Sequence, residues 1–173
     1  MDARAILIMG NSGSGKSTLA RALAERRGLA HLDLDTIAYA EPAVRDTLDA
    51  SLAKLRAFAS EHASSGWVAE GCYGDLVEAA LARCDLLVFL DPGVERCLAH
   101  NQARPWEPHK YGSKADQDAN LAMLQSWVRS YYERSDACSL AVHRRVFGAF
   151  DGPKQRVVDG AAWLREQAPS DTA

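Results

Sequence analysis

ILIMGNSGSGKSTL, at residues 6–19, joins an apolar run to a helical pattern through the spacing Gly-x-x-x-x-Gly-Lys-Ser. Its glycines can adopt backbone conformations that are closed to other residues, so successive N–H groups can converge on nucleotide phosphates at the start of a helix. Lys16 adds a positive charge for the β- and γ-phosphates, and the Ser17 hydroxyl is a ligand for Mg²⁺. The spacing therefore predicts a loop that binds ATP and Mg²⁺ and that comprises Gly10, Asn11, Ser12, Gly13, Ser14, Gly15, Lys16, Ser17 and Thr18.

The segments on either side of this loop favour phosphate binding over a glycine-rich turn without a ligand. Residues 5–9 form an uninterrupted apolar run, as in a buried parallel strand, and residues 16–27 repeat apolar side chains at helical spacing. Strands that alternate with helices imply right-handed crossovers, so we expect a three-layer α/β fold, a mainly parallel sheet with helices on both faces. Four further apolar runs supply strands, at residues 30–34, 67–70, 86–90 and 155–158.

Two long helical patterns lie between the predicted strands. Pro42 occupies a favourable first position for a helix whose apolar face runs from Val44 through a series of leucines. Ser113 and Asp116 resemble the start of a second long helix, which reaches about residue 134.

The composition is that of one globular domain that covers residues 1–173. The chain is 47% hydrophobic and 25% charged, which are ordinary values for a globular protein. Its net charge of −3 gives no basic footprint for nucleic acid, and no apolar run approaches the length that spans a membrane. The four cysteines are widely spaced and form no Cys-x-x-Cys pair. We therefore expect a cytoplasmic protein with reduced thiols, either a monomer or a homodimer.

Acidic side chains stand where the predicted strands end. Asp33 and Asp35 follow the second strand, Glu70 follows the third and Asp91 follows the fourth. Ligands gather at the C-terminal ends of the strands in such a sheet. Mg²⁺ needs hard oxygen ligands, and phosphoryl transfer needs a carboxylate that orients or deprotonates the acceptor. We predict that Ser17, Asp33 and Glu70 organise Mg²⁺ and its waters, and that Asp35 is the acceptor base.

Strand alternation directs Asp33 and Asp35 to the same side of an extended segment, as a shared site requires.

Three of the four carboxylates also have a structural interpretation. Asp35 is equally a favoured residue for capping the helix that follows. Glu70 could pair with a lysine or arginine side chain, which is the ordinary solution for a buried acid. Asp91 lies in an Asp-Pro-Gly sequence that is typical of a turn or a helix cap.

The segment RPWEPHKY, at residues 104–111, combines cations, aromatic rings and prolines between two predicted helices. Such a loop can close over phosphates, with Arg104 and Lys110 neutralising charge while Trp106 and Tyr111 exclude water. The alternative is a stiff connection at the surface. We assign Arg104 a catalytic role as the lid cation. The spacing of the following histidines is not that of a metal site, so each is expected to be structural or solvated: His100, His109 and His143.

With these motifs in place, the chain resembles the small P-loop kinases of the adenylate kinase and shikimate kinase group. Within that group its pattern is closest to the FlaR-like topology-modulation proteins. The resemblance implies a five-stranded sheet of order 2-3-1-4-5 and a mobile lid at about residues 104–120. It rests on the phosphate-binding loop, the Asp33-x-Asp35 pair, the third-strand sequence WVAEGCY at residues 67–73 and the fourth-strand sequence LVFLDP at residues 87–92.

Two departures from the group concern the acceptor and the lid. His100 occupies the approximate position of the first of two arginines that such kinases carry after the fourth strand, so Arg104 alone remains. The third strand is followed by EGCYG at residues 70–74, in place of the aspartate-glycine-x-proline-arginine segment of adenylate kinases or the three glycines of shikimate kinases. These differences argue against either of those two activities.

The sequence thus favours an ATP-dependent kinase that transfers the γ-phosphate to a small-molecule acceptor, with Lys16, Asp35 and Arg104 as its catalytic residues. The alternative is a nucleotide-binding regulatory ATPase that acts on a protein or nucleic-acid partner. Slow hydrolysis of ATP without an acceptor would favour the regulator. The identity of the acceptor stays open at this stage.

Overall fold

The structure is a computed structural model that describes residues 3–41, 44–107 and 111–167. None of the helices in these ranges is long and apolar enough to cross a membrane. The strands are β1 (Ala5–Gly10), β2 (Ala30–Asp33), β3 (Tyr39–Glu41), β4 (Val44–Arg45), β5 (Trp67–Gly71), β6 (Leu86–Leu90) and β7 (Lys154–Val157). The helices are α1 (Lys16–Arg27), α2 (Asp35–Ala38), α3 (Leu48–Glu61), α4 (Gly74–Ala80), α5 (Val94–Gln102), α6 (Lys114–Ala119), α7 (Leu121–Ser130), α8 (Leu140–Ala149) and α9 (Gly160–Glu166), with a 3-10 turn at Leu81–Arg83.

The central sheet has five parallel strands in the order β2-β5-β1-β6-β7. Strands β3 and β4 form a separate antiparallel pair. Counted without that pair, the order along the sheet is 2-3-1-4-5, so the predicted α/β fold and strand order are confirmed. The register places Asp33 of β2 beside Glu70 of β5, and Glu70 beside Ile8 of β1. Two of the predicted site carboxylates therefore end neighbouring strands at the same edge.

An apolar core covers each face of the sheet because side chains alternate along its strands. Leu7 and Met9 of β1 pack in a cluster with α3, α4 and α8 on one face. Ile6 and Ile8 pack with α1 and α9 on the other. Strands β5 and β6 are buried along their whole length. Burial on both faces explains why the central strands read as continuous apolar runs.

The predicted helix that starts at Pro42 is wrong in its extent. Pro42 lies outside the described residues, while Val44 belongs to β4 and its side chain is 56% exposed. Helix α3 begins at Leu48, and the Thr47 side chain caps it by accepting a hydrogen bond from the Ala50 N–H at 3.2 Å. A threonine cap of this kind satisfies an N–H group that a helix leaves unpaired at its start, so the helix begins there.

The second long helix is two helices, α6 and α7, which meet at Asn120. The Asn120 side-chain amide donates to the carbonyl oxygen of Asp116 at 2.8 Å. Asparagine competes in this way with the backbone hydrogen bonds of a continuous helix. The apolar periodicity did not reveal this interruption, because it coincides with a polar side chain and not with a change in the apolar pattern.

Candidate active site

A cleft of about 1090 Å³ opens at the C-terminal ends of the central strands. Single small-molecule ligands usually occupy pockets of about 300–1,000 Å³, so this cleft is large enough for an extended ligand or for two ligands side by side. Its walls come from the glycine-rich loop, from the ends of β2 and β5, from the segment after α5 and from the start of α9. Every residue of the predicted phosphate-binding loop from Ser12 to Thr18 lines it.

The glycine-rich loop has the backbone geometry that phosphate binding requires. Gly13 and Gly15 have φ angles of 76° and 96°, in the left-handed region that glycine tolerates. Lys16, only 8% exposed, is the first residue of α1, and its Nζ donates to the carbonyl oxygen of Asn11 at 2.9 Å. The ammonium group is thus held against the loop, at the start of a helix whose dipole favours anions.

Helices α5 and α7 hold this loop in shape. The Asn11 side-chain amide donates to the carbonyl oxygen of Val128 in α7 at 3.0 Å. Nδ1 of His100 in α5 lies 2.8 Å from the carbonyl oxygen of Gly13. A carbonyl only accepts hydrogen bonds, so this ring nitrogen carries the proton. Sequence reasoning missed this role of His100, because a loop anchor between distant segments leaves no spacing signal.

Gly13 packs directly against α5, which makes it a test of loop geometry. A Cβ at Gly13 would lie 2.3 Å from the Cys97 carbonyl oxygen, whereas a Cβ at Gly28, with a φ of 64°, has no described atom within 4 Å. Gly28→Ala is expected to lower the free energy of unfolding by about 1–2 kcal/mol, the cost of a left-handed alanine. Gly13→Ala is expected to lower the free energy of unfolding by about 1–3 kcal/mol more than Gly28→Ala does, because the added Cβ overpacks the contact with α5. It is also expected to weaken ATP binding.

Urea denaturation and calorimetric titration with ATP measure both effects. Gly28→Ala is the matched control, since it shares the backbone conformation without the close contact. Equal losses of stability in the two variants, with unchanged ATP affinity, would contradict this account of the loop.

Glu70 is the most buried carboxylate of the cleft, with 2% of its surface exposed. Burial raises its pKa, while the Lys16 charge opposes that shift, the Asp33 charge adds to it and a hydrogen bond with Ser17 lowers it. Within the described residues, the ion-pair contact of Glu70 is with His31, from Nε2 to Oε1 at 3.9 Å. That distance is too long for a hydrogen bond. Burial also lowers the pKa of His31, which favours the neutral imidazole.

The sequence suggested that Glu70 pairs with a lysine or an arginine. In the part of the chain that the structure describes, no lysine or arginine lies within salt-bridge distance of Glu70. Glu70 Oε1 is buried without a hydrogen-bond partner among these residues. A buried carboxylate oxygen without a partner is costly unless a ligand, a water or a cation completes it.

Asp33 and Asp35 both line the cleft, but not for the reason that the sequence suggested. The extended segment ends at Asp33, and Leu34 already has helical angles of −64° and −19°. Asp33 Oδ1 accepts the backbone N–H of Asp35 at 2.9 Å. Leu34 is the residue before the helix, and Asp35 is the first residue of α2. Asp35 is thus not the cap of that helix, and the two carboxylates reach the cleft through a local turn rather than through strand alternation.

A phenol holds the Asp35 carboxylate. Tyr73 Oη donates to Asp35 Oδ1 at 2.7 Å across 38 residues of sequence. Sequence reasoning missed this contact too. The sequence showed only that Tyr73 follows the third strand, within the WVAEGCY sequence at residues 67–73.

The predicted Mg²⁺ ligands fit that role by their chemistry. Ser17, Asp33 and Glu70 all line the cleft and offer oxygen donors, which Mg²⁺ prefers. The unpartnered buried Oε1 of Glu70 is the observation that favours a cation there. In residues 3–41, 44–107 and 111–167, no group of three or more His, Cys, Asp or Glu side chains is placed to hold a metal ion. Phosphate and water oxygens would therefore have to complete the coordination, as is usual for Mg²⁺ with nucleotides.

Asp91 has a structural role. Its Oδ2 accepts a hydrogen bond from Arg156 Nη2 at 2.6 Å, and its backbone N–H donates to the Val157 carbonyl oxygen at 2.8 Å. These bonds join the end of β6 to β7. Asp91 does not cap α5, which is preceded by Gly93 and has no side-chain cap, so its role differs from the turn or cap that the sequence suggested.

The segment after α5 forms part of the wall of the cleft. Arg104 lines the cleft, and its Nη1 lies 3.2 Å from Glu107 Oε2. Trp106 is 45% exposed, and its ring N–H donates to the Tyr111 carbonyl oxygen at 3.0 Å. Gln117 of α6 bonds the backbone of this segment at Glu107 N, at 2.8 Å, and at the Pro105 carbonyl oxygen, at 3.0 Å. Lys110 and His109 lie outside the described residues.

The far end of the cleft is a partly apolar shelf at the start of α9. Val158 is 61% exposed there, and Gly160, Ala161 and Leu164 continue the lining. Arg96 of α5 crosses the shelf, with Nη1 donating to the Val158 carbonyl oxygen at 3.1 Å. Apolar residues beside a guanidinium group suit the binding of a planar ring.

Neither a protein-family model nor a curated protein sequence matches the chain. Among solved structures, the crystal structure of a gluconokinase from Sinorhizobium meliloti 1021 is similar to it. The two share 22% sequence identity and a TM-score of 0.52, and the match covers 94% of this chain and 87% of the gluconokinase chain. At this level of sequence identity, the similarity shows the fold alone.

Proposed function

We propose that this chain is an ATP- and Mg²⁺-dependent kinase that phosphorylates a hydroxyl group of a small molecule. The observation that carries the proposal is that the residues lining one cleft include the Lys16 loop, the carboxylates Asp33, Asp35 and Glu70, and Arg104. Phosphoryl transfer is catalysed mostly by positioning and by charge stabilisation, and these are the groups that it needs. The gluconokinase of similar fold makes gluconate and related polyhydroxy compounds the first acceptors to test.

ATP would lie along the length of the cleft. The loop amides and Lys16 would hold the β- and γ-phosphates, since the loop lines the cleft at the start of a helix. The base would lie on the shelf formed by Val158 and Leu164, with Arg96 beside it. This orientation directs the γ-phosphate toward Asp35.

Ser17, Asp33 and Glu70 would hold Mg²⁺ directly or through water. A bound Mg²⁺ neutralises phosphate charge and orients the terminal phosphate. The buried position of Glu70 keeps its carboxylate fixed at the end of β5, next to Asp33 at the end of β2. A fixed pair of carboxylates costs less reorganisation when the nucleotide binds.

Asp35 would orient the acceptor hydroxyl and accept its proton. The hydroxyl oxygen then forms a bond to the γ-phosphorus, the bond from that phosphorus to the bridging oxygen breaks, and ADP leaves. Lys16 and Arg104 would stabilise the negative charge on the transferred group from two sides. We assign Asp35 this role because its carboxylate begins α2 and is held by the Tyr73 hydroxyl, whereas the two proposed metal ligands Asp33 and Glu70 lie side by side on neighbouring strands.

An acceptor panel tests the proposal. Purified protein with ATP and Mg²⁺ is assayed for ADP release with gluconate, shikimate, ribose, glycerol, nucleosides and nucleoside monophosphates, and products are identified by mass spectrometry. A kinase gives a phosphorylated product with one compound or class. ADP release at the same slow rate in every tube, with no phosphorylated product, would reject the kinase and favour the regulatory ATPase.

We further propose that the segment at about residues 104–120 is a lid of a single kinase-like domain. Arg104→Ala is expected to lower turnover about a hundredfold with little change in ATP affinity, because its charge acts mainly on the transition state. An ATP analogue should also increase hydrogen-exchange protection around Trp106, since bound phosphates neutralise the cations of the segment.

Arg56→Ala, which changes an exposed arginine on α3, is the matched control and should keep wild-type turnover. Equal hydrogen exchange with and without nucleotide, together with normal turnover of Arg104→Ala, would make this segment a structural connection.

A further inference from the structure

Tyr73 is a buried tyrosine whose hydroxyl contacts one cleft carboxylate. Its side chain is 4% exposed, and Oη lies 2.7 Å from Asp35 Oδ1. Burial, together with the nearby Cys72 and Asp35, raises the pKa of the phenol far above its ordinary range. The phenol is therefore neutral and donates, and the carboxylate accepts.

The ring of Tyr73 is contacted by two side chains of the β3–β4 pair. Tyr39 contacts it edge-on, with ring centroids 6.3 Å apart. The Arg45 guanidinium lies 5.1 Å from the Tyr73 ring centroid, and its Nη2 bonds both carboxylate oxygens of Asp75, at 2.9 and 2.8 Å. A charge-assisted bond of this kind, together with the cation over the ring, restricts where the ring can move.

The backbone next to Tyr73 is held by a buried chain of hydrogen bonds. His143 is fully buried, and its Nε2 lies 2.8 Å from the Cys72 carbonyl oxygen. Because a carbonyl only accepts, Nε2 carries the proton, and Nδ1 accepts from Tyr131 Oη at 2.8 Å. Burial lowers the pKa of His143 to about 4, which keeps this neutral tautomer. The Gly74 N–H also donates to the Ala137 carbonyl oxygen at 2.8 Å.

These contacts give Tyr73 a fixed position from which its hydroxyl reaches a carboxylate on a different element. We infer that Tyr73 is the positioning residue that orients the Asp35 carboxylate for the acceptor hydroxyl. The inference rests on the proposed kinase function, in which Asp35 is the acceptor base. An aspartate side chain can rotate, and a base that is misplaced by about 1 Å can lose a large part of its rate contribution.

Tyr73→Phe removes the hydroxyl and keeps the ring, so it separates orientation from packing. We expect it to lower kcat for acceptor phosphorylation about tenfold, while KM for ATP and the circular dichroism spectrum stay unchanged. The assay uses ATP, Mg²⁺ and gluconate, or the panel compound that is phosphorylated fastest. Tyr132→Phe is the matched control, since Tyr132 is 39% exposed, does not line the cleft and should keep wild-type kcat.

A double-mutant cycle tests whether Tyr73 acts through Asp35. If it does, Tyr73→Phe should change kcat by less than about twofold in an Asp35→Asn background, since there is no base left to orient. A packing role would give the same loss of rate in both backgrounds, and that result would overturn the inference.

A crystal structure of Tyr73→Phe tests the orientation of the Asp35 carboxylate without an activity assay. The Asp35 carboxylate should leave the position that it holds beside Tyr73 Oη, and an unchanged position would overturn the inference. Failure of the proposed function is distinct from both results. If the wild-type protein phosphorylates no panel compound, or if Asp35→Asn retains full turnover, the role of Asp35 is rejected and the inference falls with it.

Discussion

We expect Lys16→Ala to lower phosphoryl transfer by about a thousandfold while the protein remains folded. The Lys16 Nζ contacts the carbonyl oxygen of Asn11, and its charge is held against the loop instead of in an apolar core. Phosphoryl transfer depends above all on electrostatic stabilisation of the transferred group, so removal of the charge that we propose for the γ-phosphate should lower kcat strongly. Turnover with saturating ATP and Mg²⁺ measures the loss, and circular dichroism measures the fold.

Lys54→Ala is the control for loss of a lysine. Lys54 of α3 pairs with Asp46, which precedes the helix, with Nζ 2.9 Å from Oδ2. The Lys54 side chain is 46% exposed. An exposed ion pair contributes about 0–1 kcal/mol to stability, so this variant should keep both its fold and its turnover. Wild-type turnover in Lys16→Ala would reject the assignment of the glycine-rich loop to phosphoryl transfer.

Asp35→Asn is expected to preserve ATP affinity and to lower transfer about a hundredfold, the scale of removing a general base. The substitution keeps an oxygen that can accept the Tyr73 hydroxyl, so the loss reports the missing proton acceptor more than a missing contact. Initial rates at varied acceptor concentration, with ATP and Mg²⁺ saturating, measure this effect.

Asp33→Asn should instead raise the Mg²⁺ concentration that half-maximal activity requires. Its side-chain oxygen can still accept the Asp35 N–H, so the turn that joins the two residues is retained. The negative charge that attracts the cation is lost. Asp49→Asn, an exposed residue of α3, is the control for both variants. Identical defects in Asp33→Asn and Asp35→Asn, whether Mg²⁺ or the acceptor is titrated, would reject the separate roles.

The glycine-rich loop and the parallel strands could be predicted from local patterns, whereas the strand order came from the resemblance to small P-loop kinases. A loop that must converge backbone N–H groups needs glycines at particular positions, and Gly13 and Gly15 have the left-handed angles that only glycine adopts easily. Apolar runs buried on both faces imply parallel strands, and parallel strands imply that Asp33 and Glu70 end at one edge. These are properties of short segments, so a short stretch of sequence records them.

Helix boundaries were harder to predict because single polar contacts decided them. Thr47 caps the start of α3, well after Pro42, and Asn120 separates α6 from α7. The apolar pattern continues across both positions, so it gives no sign of a polar side chain that hydrogen-bonds to the nearby backbone. The expectation that strand alternation aligns Asp33 with Asp35 failed for the same reason, since a local turn starts at Leu34.

By itself, the sequence determined the chemistry available at the cleft: a glycine-rich loop with Lys16, carboxylates at strand ends and Arg104 beyond α5. The tertiary structure alone decided which groups touch. It placed His100 on the Gly13 carbonyl, Tyr73 on Asp35 and His143 on the Cys72 carbonyl. These partners are 38 to 87 residues apart. A hydrogen bond depends on distance and direction in space, and spacing along the chain carries neither once the partners lie on different elements.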